Sequence, residues 1–472
     1  MGSGDRAALV RICDPAGRPR GTGFVADDRG TVVTSHEAVV GAARFVLHGA
    51  GGRSRTVGAD DITALPGLDL ALLHTAGPGE LGVEPVPIAL RDRIDAGTYV
   101  TIAAHGWREA RVLGTAPVTY TANGRSHRIG AAVELALGTD GRDALRLGGV
   151  AVGGPVLDPE SGAVIAVLGS ALRAGHAGAG FAVPLRAAGT GGPLDELLRR
   201  NATSVPGYGR DLNLAGALHL TATSLGSADG PATWPDPVER PDVSAEFAAF
   251  AGPDRPSSAP DGPAVVLGLV GAPGTGRTTE LAALTARRAR GPVPAPTLWL
   301  RGADLLADDT SVADAVARTL RRAGRIVTAA GARGDMATAT PERVARLAEE
   351  AGSPLLVLLD GPEEMPPALA HEPARWTAAT VEWLRGNGAR LVVACGPEHW
   401  ETAGALCPPG ALHRPARPAR RLPPAVRLGE LTADQAELEG LDVGTRTGGT
   451  SRPGGTSGSR GTSGTSGAGR TS

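Results

Sequence analysis

Short apolar runs separated by Gly, Asp and Pro characterise the first part of the chain. They lie at residues 8–12, 23–26, 31–34, 44–47, 70–73, 99–102, 163–167 and 180–183. Runs of this length and spacing, without a long helical periodicity, are typical of an all-β sandwich or barrel. The pattern therefore predicts an all-β domain over residues 6–187.

The hydrophobic pattern weakens after this domain. Residues 188–262 are rich in Pro, Ser and Gly, a composition typical of a connecting segment. We expect a linker here, with a helix at 194–199 and one short ordered piece near 243–247.

The period changes again from residue 263 to residue 437. Apolar runs occur at 265–270, 297–300, 355–359 and 391–394, and they alternate with helical stretches rich in Ala, Arg and Leu. This alternation predicts an α/β domain with a mostly parallel sheet. Residues 438–472 form a low-complexity tail that is predicted to be disordered, because 444–472 contain only Gly, Thr, Ser, Arg, Pro and Ala.

Composition narrows the candidate functions without selecting one. The 472 residues suffice for two or three domains. With 47 basic and 49 acidic residues the net charge is −2, so charge gives no reason to expect a nucleic-acid or membrane partner. Every basic residue is Arg. The N-terminus lacks the pattern of a signal peptide and no apolar run reaches ~18 residues, which predicts a cytoplasmic protein.

Five short motifs follow one another along the first domain. They are residues 21–25 (GTGFV), 31–36 (TVVTSH), 67–73 (GLDLALL), 153–156 (GGPV) and 180–184 (GFAVP). The series resembles trypsin-like serine peptidases of the compact bacterial kind, which implies an all-β double barrel. By this resemblance His36 is the general base, Asp69 orients it, and Val152 occupies the place of the nucleophilic Ser.

Val152 changes the expected chemistry of this domain. A branched hydrocarbon has no lone pair with which to attack a carbonyl, so acyl-enzyme catalysis at this position is excluded. Val150 and Ala151 also replace residues that shape the oxyanion-hole loop in the family. The domain is predicted to be a pseudoprotease. Three roles stay open for His36 and Asp69. They form a hydrogen-bonded pair without a catalytic role, His36 weakly activates a water molecule, or the domain binds a peptide in its cleft without cutting it.

A second constellation lies in the α/β domain. Residues 271–278 (GAPGTGRT) follow an apolar strand and open a helix, which is the context that a phosphate-binding P-loop requires. The residues assigned to nucleotide binding are Gly271, Gly274, Thr275, Gly276, Arg277, Thr278 and Thr279. Thr278 would bind Mg²⁺, and Arg277 stands where such loops usually carry Lys.

An acidic strand end supports the P-loop assignment. The run 355–360 (LLVLLD) places Asp360 at the end of a buried strand, where its carboxylate would hold Mg²⁺. Residues 360–364 (DGPEE) resemble the signature of NACHT-like ATPases in the STAND class of signalling switches. That resemblance implies ATP as cofactor and Glu363 or Glu364 as the residue that orients the attacking water. Gly396 ends the next strand, where the class often has a polar sensor.

Three functions remain open at this point. The leading hypothesis is an ATP-binding switch of the STAND type and a possible weak ATPase, and slow turnover, no turnover and competent ATP hydrolysis all stay open. Its partners would be a peptide or protein bound by the trypsin-like domain and, on ATP binding, further copies of the same chain. The alternatives are an ATP-regulated serine peptidase and a non-catalytic scaffold in which both sites have decayed.

Overall fold

In the computed structural model, the apolar runs of the N-terminal part form two antiparallel β-structures. The structure describes residues 9–77, 79–91, 93–103, 106–136, 151–170, 180–187, 189, 191–225, 240–252, 263–291, 294–418 and 421–430. The first seven strands are β1 (Val10–Cys13), β2 (Pro19–Val25), β3 (Val32–Ser35), β4 (Arg44–His48), β5 (Ser54–Gly58), β6 (Ile62–Leu65) and β7 (Leu70–Leu73). They make one sheet in the order β5-β4-β1-β2-β3-β7-β6.

The next six strands close into a barrel. They are β8 (Tyr99–Ala103), β9 (Trp107–Ala122), β10 (Arg125–Ala136), β11 (Pro155–Leu157), β12 (Val164–Gly169) and β13 (Gly180–Pro184), in the order β10-β13-β12-β11-β8-β9. The expected double barrel is therefore only half realised, because the first sheet stays open among the described strands. Its edge strand β5 exposes Ser54, Arg55 and Thr56, and polar side chains keep such an edge in water.

A long hairpin connects the barrel to the first sheet's site. Strands β9 and β10 pair from Ala122 and Arg125 at the turn to Arg111 and Ala136 at the far end. The two turn residues, Asn123 and Gly124, have φ of 52° and 72°. Two positive φ angles in a two-residue turn match the right-handed twist of the flanking strands. The hairpin carries Tyr120 to the end of β3.

Three helices occupy the segment that the sequence pattern assigned to a linker. They are α1 (Pro193–Ser204), α2 (Leu214–Ser224) and α3 (Pro241–Ala251). Leu194, Leu197 and Leu198 of α1 are buried in the core that the two β-structures share. Ala217 and Leu220 of α2 are buried in the core of the α/β region. Within the predicted linker 188–262, α1 contains the expected helix at 194–199 and α3 contains the expected ordered piece near 243–247. Helix α2 was not expected, and α1 and α2 are packed into the two cores.

Five parallel strands make the central sheet of the α/β region. They are β14 (Val266–Gly271), β15 (Thr297–Arg301), β16 (Leu356–Asp360), β17 (Arg390–Cys395) and β18 (Val426–Leu428), in the order β15-β16-β17-β14-β18. All their pairings are parallel, which confirms the predicted α/β class. The accompanying helices are α4 (Arg277–Arg290), α5 (Val312–Ala329), α6 (Pro341–Glu350), α7 (Pro367–His371), α8 (Pro373–Gly386) and α9 (Pro397–Ala405).

The two faces of this sheet are both covered. Leu267 and Leu269 pack on one face with Leu281 of α4, and Val266 and Val270 point into the core on the other face. Burial on both faces explains the continuous apolar runs of these strands. No described helix is long and apolar enough to cross a membrane. The predicted disordered tail, residues 438–472, lies outside the described residues.

Candidate functional site

Strand pairing brings His36 and Asp69 together. Ser35 ends β3 and pairs with Leu70 at the start of β7, so the residues just beyond this pair are neighbours. The His36 amide donates to the Asp69 carbonyl at 3.1 Å. Asp69 has φ 49° and ψ 40°, a left-handed conformation that costs a side-chain-bearing residue roughly 1 kcal/mol. The backbone therefore holds both residues at the junction of the two β-structures.

The two side chains are not hydrogen-bonded to each other in the described part of the chain. His36 Nδ1 instead lies 2.9 Å from the hydroxyl of Tyr120. Asp69 Oδ1 accepts from Ser35 Oγ at 2.9 Å and from the Glu37 amide at 3.2 Å. In a working triad the carboxylate would hold the imidazole in its catalytic orientation. Here Tyr120 takes that place, which the sequence analysis did not foresee.

Burial favours protonation states of Asp69 and His36 that do not suit triad chemistry. It raises the pKa of Asp69 to about 7, with the charge of Glu37 adding to the effect and the hydrogen bond from Ser35 opposing it. Burial also lowers the pKa of His36, and nearby His127 lowers it further. A triad needs an ionised carboxylate that stabilises an imidazolium. This site favours the neutral forms of both groups.

Val152 lies in the hydrophobic core of the first sheet. Its exposed fraction is 2%, and its core neighbours include Ala38 and Val39, just after His36. The Val152 carbonyl accepts from the Thr22 amide at 2.7 Å. Val150 lies outside the described residues. The side chain at the nucleophile position therefore contributes to packing.

Ser170, the first residue after β12, is held by an acidic neighbour. Its hydroxyl and amide both donate to the carboxylate of Glu37, the amide at 3.1 Å. Glu37 follows His36 in the short 3₁₀-helix His36–Val39. This contact ties the closed barrel to the first sheet beside His36.

Comparison with known proteins identifies this part of the chain. Residues 21–167 match the family model of the trypsin-like peptidase domain. The N-terminal part of the chain thus contains a trypsin-like peptidase domain. No curated protein sequence matches the chain.

Three solved structures are similar to the same part. The inactive form of the Rv3671c protease shares 19% identity over 38% of this chain and 84% of its own, with a TM-score of 0.28. The active form of that protease, from M. tuberculosis, shares 20% identity over 38% and 76%, with a TM-score of 0.29. The MamO protease domain from Magnetospirillum magneticum shares 16% identity over 39% and 95%, with a TM-score of 0.29.

The glycine-rich loop of the α/β region lies between β14 and α4. Gly274 and Gly276 have φ of 84° and 88°, which favours glycine. A Cβ on Gly271, the last residue of β14, would lie 2.3 Å from Thr275 Oγ1. A Cβ on Gly274 would meet no atom within 4 Å, so this turn of the loop borders open space. The loop leads directly into the N-terminus of α4, where backbone N–H groups are left without helical partners.

Thr278 and Asp360 meet at the carboxyl edge of the sheet. The Thr278 hydroxyl donates to Asp360 Oδ2 at 2.9 Å. Thr278 lies in the first turn of α4, and Asp360 ends β16, which is separated from β14 by β17. Thr279, beside Thr278, is exposed. In the described part of the chain no three or more His, Cys, Asp or Glu side chains are grouped so that they could hold a metal ion.

Arg277 is paired with Glu363 on the same edge. The Arg277 Nη1 to Glu363 Oε1 distance is 3.3 Å, and the Gly396 amide donates to Glu363 Oε1 at 2.6 Å. Burial raises the pKa of Glu363, but the Gly396 amide and the Arg277 charge more than offset this, so the pKa lies below its usual value. Gly396 thus contributes through its backbone, and Glu363 and Glu364 are both exposed.

Arg240 is a loop-binding residue that the sequence analysis missed. From the residue before α3 its Nη2 donates to the Thr275 carbonyl at 2.8 Å and its Nη1 to the Gly429 carbonyl at 3.2 Å. Its Nε lies 3.4 Å from Glu280 Oε1 in α4. The residue stands in a segment with no periodic pattern, 31 positions before Gly271 by their numbers. No local sequence signal marked it.

Proposed function

We propose that this protein is an ATP-binding switch of the STAND type, in which a trypsin-like domain binds a peptide without cleaving it. The observation that carries the proposal is the 2.9 Å hydrogen bond from Thr278 to Asp360. A hydroxyl and a carboxylate at this spacing, beside a glycine-rich loop, are the protein ligands with which P-loop proteins hold Mg²⁺.

The loop residues fit a nucleotide. The amides of the loop and of the first turn of α4 would bind phosphate oxygens, and the positive φ of Gly274 and Gly276 gives the loop its concave shape. Thr278 and Asp360 would hold Mg²⁺, whose charge would neutralise the phosphates. Arg240 would hold the loop in place from outside, through the Thr275 carbonyl.

The Arg277–Glu363 pair gives the proposed switch two states. In this structure Arg277 is engaged by Glu363, and a bound phosphate would compete for the same guanidinium. Release of Glu363 would free its carboxylate, and the Gly396 amide could then hold it in a position to orient water. Because Arg is larger and more rigid than Lys, slow turnover is expected. The sequence contains no Lys at all, so the Arg at position 277 follows the composition of the whole chain.

The trypsin-like domain supports a binding role better than a peptidase role. Val152 is packed in a core, and His36 is held by Tyr120. An extended peptide would pair with a free strand edge, as peptides commonly do with open sheets. The open first sheet offers such an edge. ATP binding would then control assembly with further copies of the chain.

Calorimetry with Mg·ATP on the full chain tests the nucleotide site. We expect micromolar binding that depends on Mg²⁺, and a loss of about tenfold or more in Asp360→Asn and Thr278→Val. The control is Asp308→Asn, an exposed carboxylate before α5, which should bind as the unchanged protein does. Equal affinity in Asp360→Asn and the unchanged protein, or no binding by folded protein, would refute the proposal.

A further inference from the structure

A cavity of about 320 Å³ lies under the candidate nucleotide site, on the other side of the sheet from α4. Its floor is formed by Leu359 of β16 and by Leu391 and Val393 of β17, which face away from the core that holds α4. Helices α7, α8 and α9 supply its walls, with Leu369 and Trp400 among them. The volume is at the lower end of the range for sites that bind small organic molecules.

One wall residue of the cavity has a buried hydrogen-bond donor that does not reach the open space. Trp376 of α8 lines the cavity, and its Nε1 is buried with no hydrogen-bond partner among the described residues. Trp383, two turns further along α8, donates its Nε1 to Glu342 at 2.9 Å. A buried indole N–H usually finds a partner, and one without a partner costs about 1–3 kcal/mol. The open space is therefore bordered mostly by apolar groups, and its polar lining residues are Glu363, His399, Thr377, Thr380 and Thr402.

Two residues join the cavity to the edge of the sheet. Glu363, which binds Arg277 and the Gly396 amide, also lines the cavity. His399 of α9 lines it too, and burial lowers the pKa of this imidazole although the charge of Glu363 opposes the change. The Glu363 charge faces the cationic Arg277, and most of the remaining lining is apolar. An uncharged ligand suits this lining best.

We propose that this cavity binds a small, uncharged, mostly apolar molecule. The apolar body lies on Leu359, Leu391 and Val393. Because the ligand touches Glu363, it changes how firmly this residue holds Arg277, and through it the affinity for nucleotide. This second step rests on the proposed nucleotide switch, whereas binding in the cavity does not.

Fluorescence of 6-propionyl-2-(dimethylamino)naphthalene tests binding without any nucleotide. This probe is uncharged and apolar, carries one carbonyl acceptor, and changes its emission in an apolar site. We expect saturable binding of the probe. Trp383→Phe, in the same helix but outside the cavity, should bind the probe as the unchanged protein does.

Filling the cavity provides an independent variant. Ala403 of α9 lines the cavity and Ala405 of the same helix is exposed, so Ala403→Leu should abolish probe binding and Ala405→Leu should not. Circular dichroism checks that both fold. If folded Ala403→Leu binds as tightly as the unchanged protein, or if the unchanged protein shows no saturable binding, the cavity is not a ligand site.

Calorimetry with Mg·ATP at saturating probe then separates the two proposals. A change in ATP affinity of threefold or more supports the link through Glu363, and an unchanged affinity refutes that link. Probe binding in a protein that does not bind ATP would refute the nucleotide switch and support the cavity site. ATP binding without probe binding would refute the cavity site and support the switch.

Discussion

Burial decides the chemistry of the two residues that the first motif places side by side. Asp69 lies at the junction of two cores, and its carboxyl has a pKa of about 7 because ionisation there is costly. His36, for the same reason, has a lowered pKa. The residue types of a triad are present, but their surroundings favour neutral groups. A motif predicts identity, whereas burial determines the protonation state.

Asp69→Asn should remove a pH dependence of stability. The carboxyl binds its proton more tightly in the folded protein than in the unfolded chain, where its pKa is 3.8, so stability falls as pH rises from about 4 to about 7. The amide has no such proton. We expect the variant to be more stable than the unchanged protein by about 4 kcal/mol above pH 7, and equal to it near pH 4.

Urea unfolding at a series of pH values checks this prediction. The control is Asp60→Asn, which changes an exposed carboxylate shortly before β6. It should change the free energy of unfolding by less than about 0.5 kcal/mol. A variant that stays less stable than the unchanged protein at pH 8 would show that the Asp69 carboxylate is stabilising when ionised.

Residues within local motifs could be predicted, and residues from distant strands could not. His36, Asp69, Thr278 and Asp360 each stand in a short pattern, and the structure places each pair side by side. Tyr120 reaches His36 only through the long β9–β10 hairpin. Tyr120 follows His36 by 84 positions, and their contact depends on the register of the β9–β10 pair. No local sequence pattern records that register.

At the scale of elements, strands with continuous apolar runs were found and strands with alternating patterns were missed. Strands β9 and β10 bury roughly every second residue and carry Arg, Thr and Glu on the other face. Their turn, Asn123-Gly124, is a strong hairpin signal, but a pattern of apolar runs does not mark it. Helix α2 was missed because its Ala-, Gly- and Leu-rich sequence is buried on most sides and shows little periodicity.

Helix α1 is fixed to the β-structures by one amide side chain. Asn201 is fully buried, and its Oδ1 accepts from the Ile88 amide at 2.8 Å. Its Nδ2 donates to the Ala26 carbonyl at 2.6 Å and to the Val86 carbonyl at 2.9 Å. One side chain thus satisfies three buried backbone groups that no strand partner reaches. Such groups are costly to leave unpaired.

Asn201→Ala should therefore destabilise the trypsin-like domain by about 3 kcal/mol, because three buried backbone groups lose their partner. Thr203→Ala, an exposed position in the same helix, should cost less than about 1 kcal/mol. Scanning calorimetry on both variants measures the difference. A cost for Asn201→Ala no larger than that for Thr203→Ala would mean that water replaces the side chain without loss.

For the whole molecule, a buried charge cluster joins the β-structures to the segment that leads into the α/β region. Arg91, before β8, binds Asp158, after β11, at 2.9 Å and also pairs with Asp211, between α1 and α2. Ser161 donates to the same Asp211 carboxylate. Arg343 of α6 donates to the carbonyls of Gly209 and Arg210 from the other side. The connection is therefore held by both regions and is not a flexible tether.

Arg91→Met should loosen this connection at neutral pH. The change keeps an unbranched apolar stem but removes the guanidinium that Asp158 and Asp211 share, and leaves Asp158 with only the longer 3.7 Å contact to Arg210, at a cost of about 3 kcal/mol. Hydrogen exchange in peptides that cover residues 205–213 should then become faster on the order of a hundredfold, since 1.4 kcal/mol corresponds to about tenfold. Arg93→Met, at an exposed position nearby, should leave this exchange unchanged.

The pH dependence of the same variant distinguishes a charge effect from a packing effect. Burial alone would raise the pKa of Asp158. The hydrogen bond from the Ser161 amide and the charge of Arg91 together lower this pKa by more, so the net pKa lies below its usual value of 3.8. Its contribution to stability is present above pH 4 and is lost as pH falls through the folded pKa. We expect the difference between Arg91→Met and the unchanged protein to be largest at pH 7 and to shrink below pH 4, where the carboxylates become neutral. A difference that stays constant from pH 7 to pH 3 would mean that Arg91 acts through the packing of its stem, and the cluster would then hold the two regions together without any need for its charge.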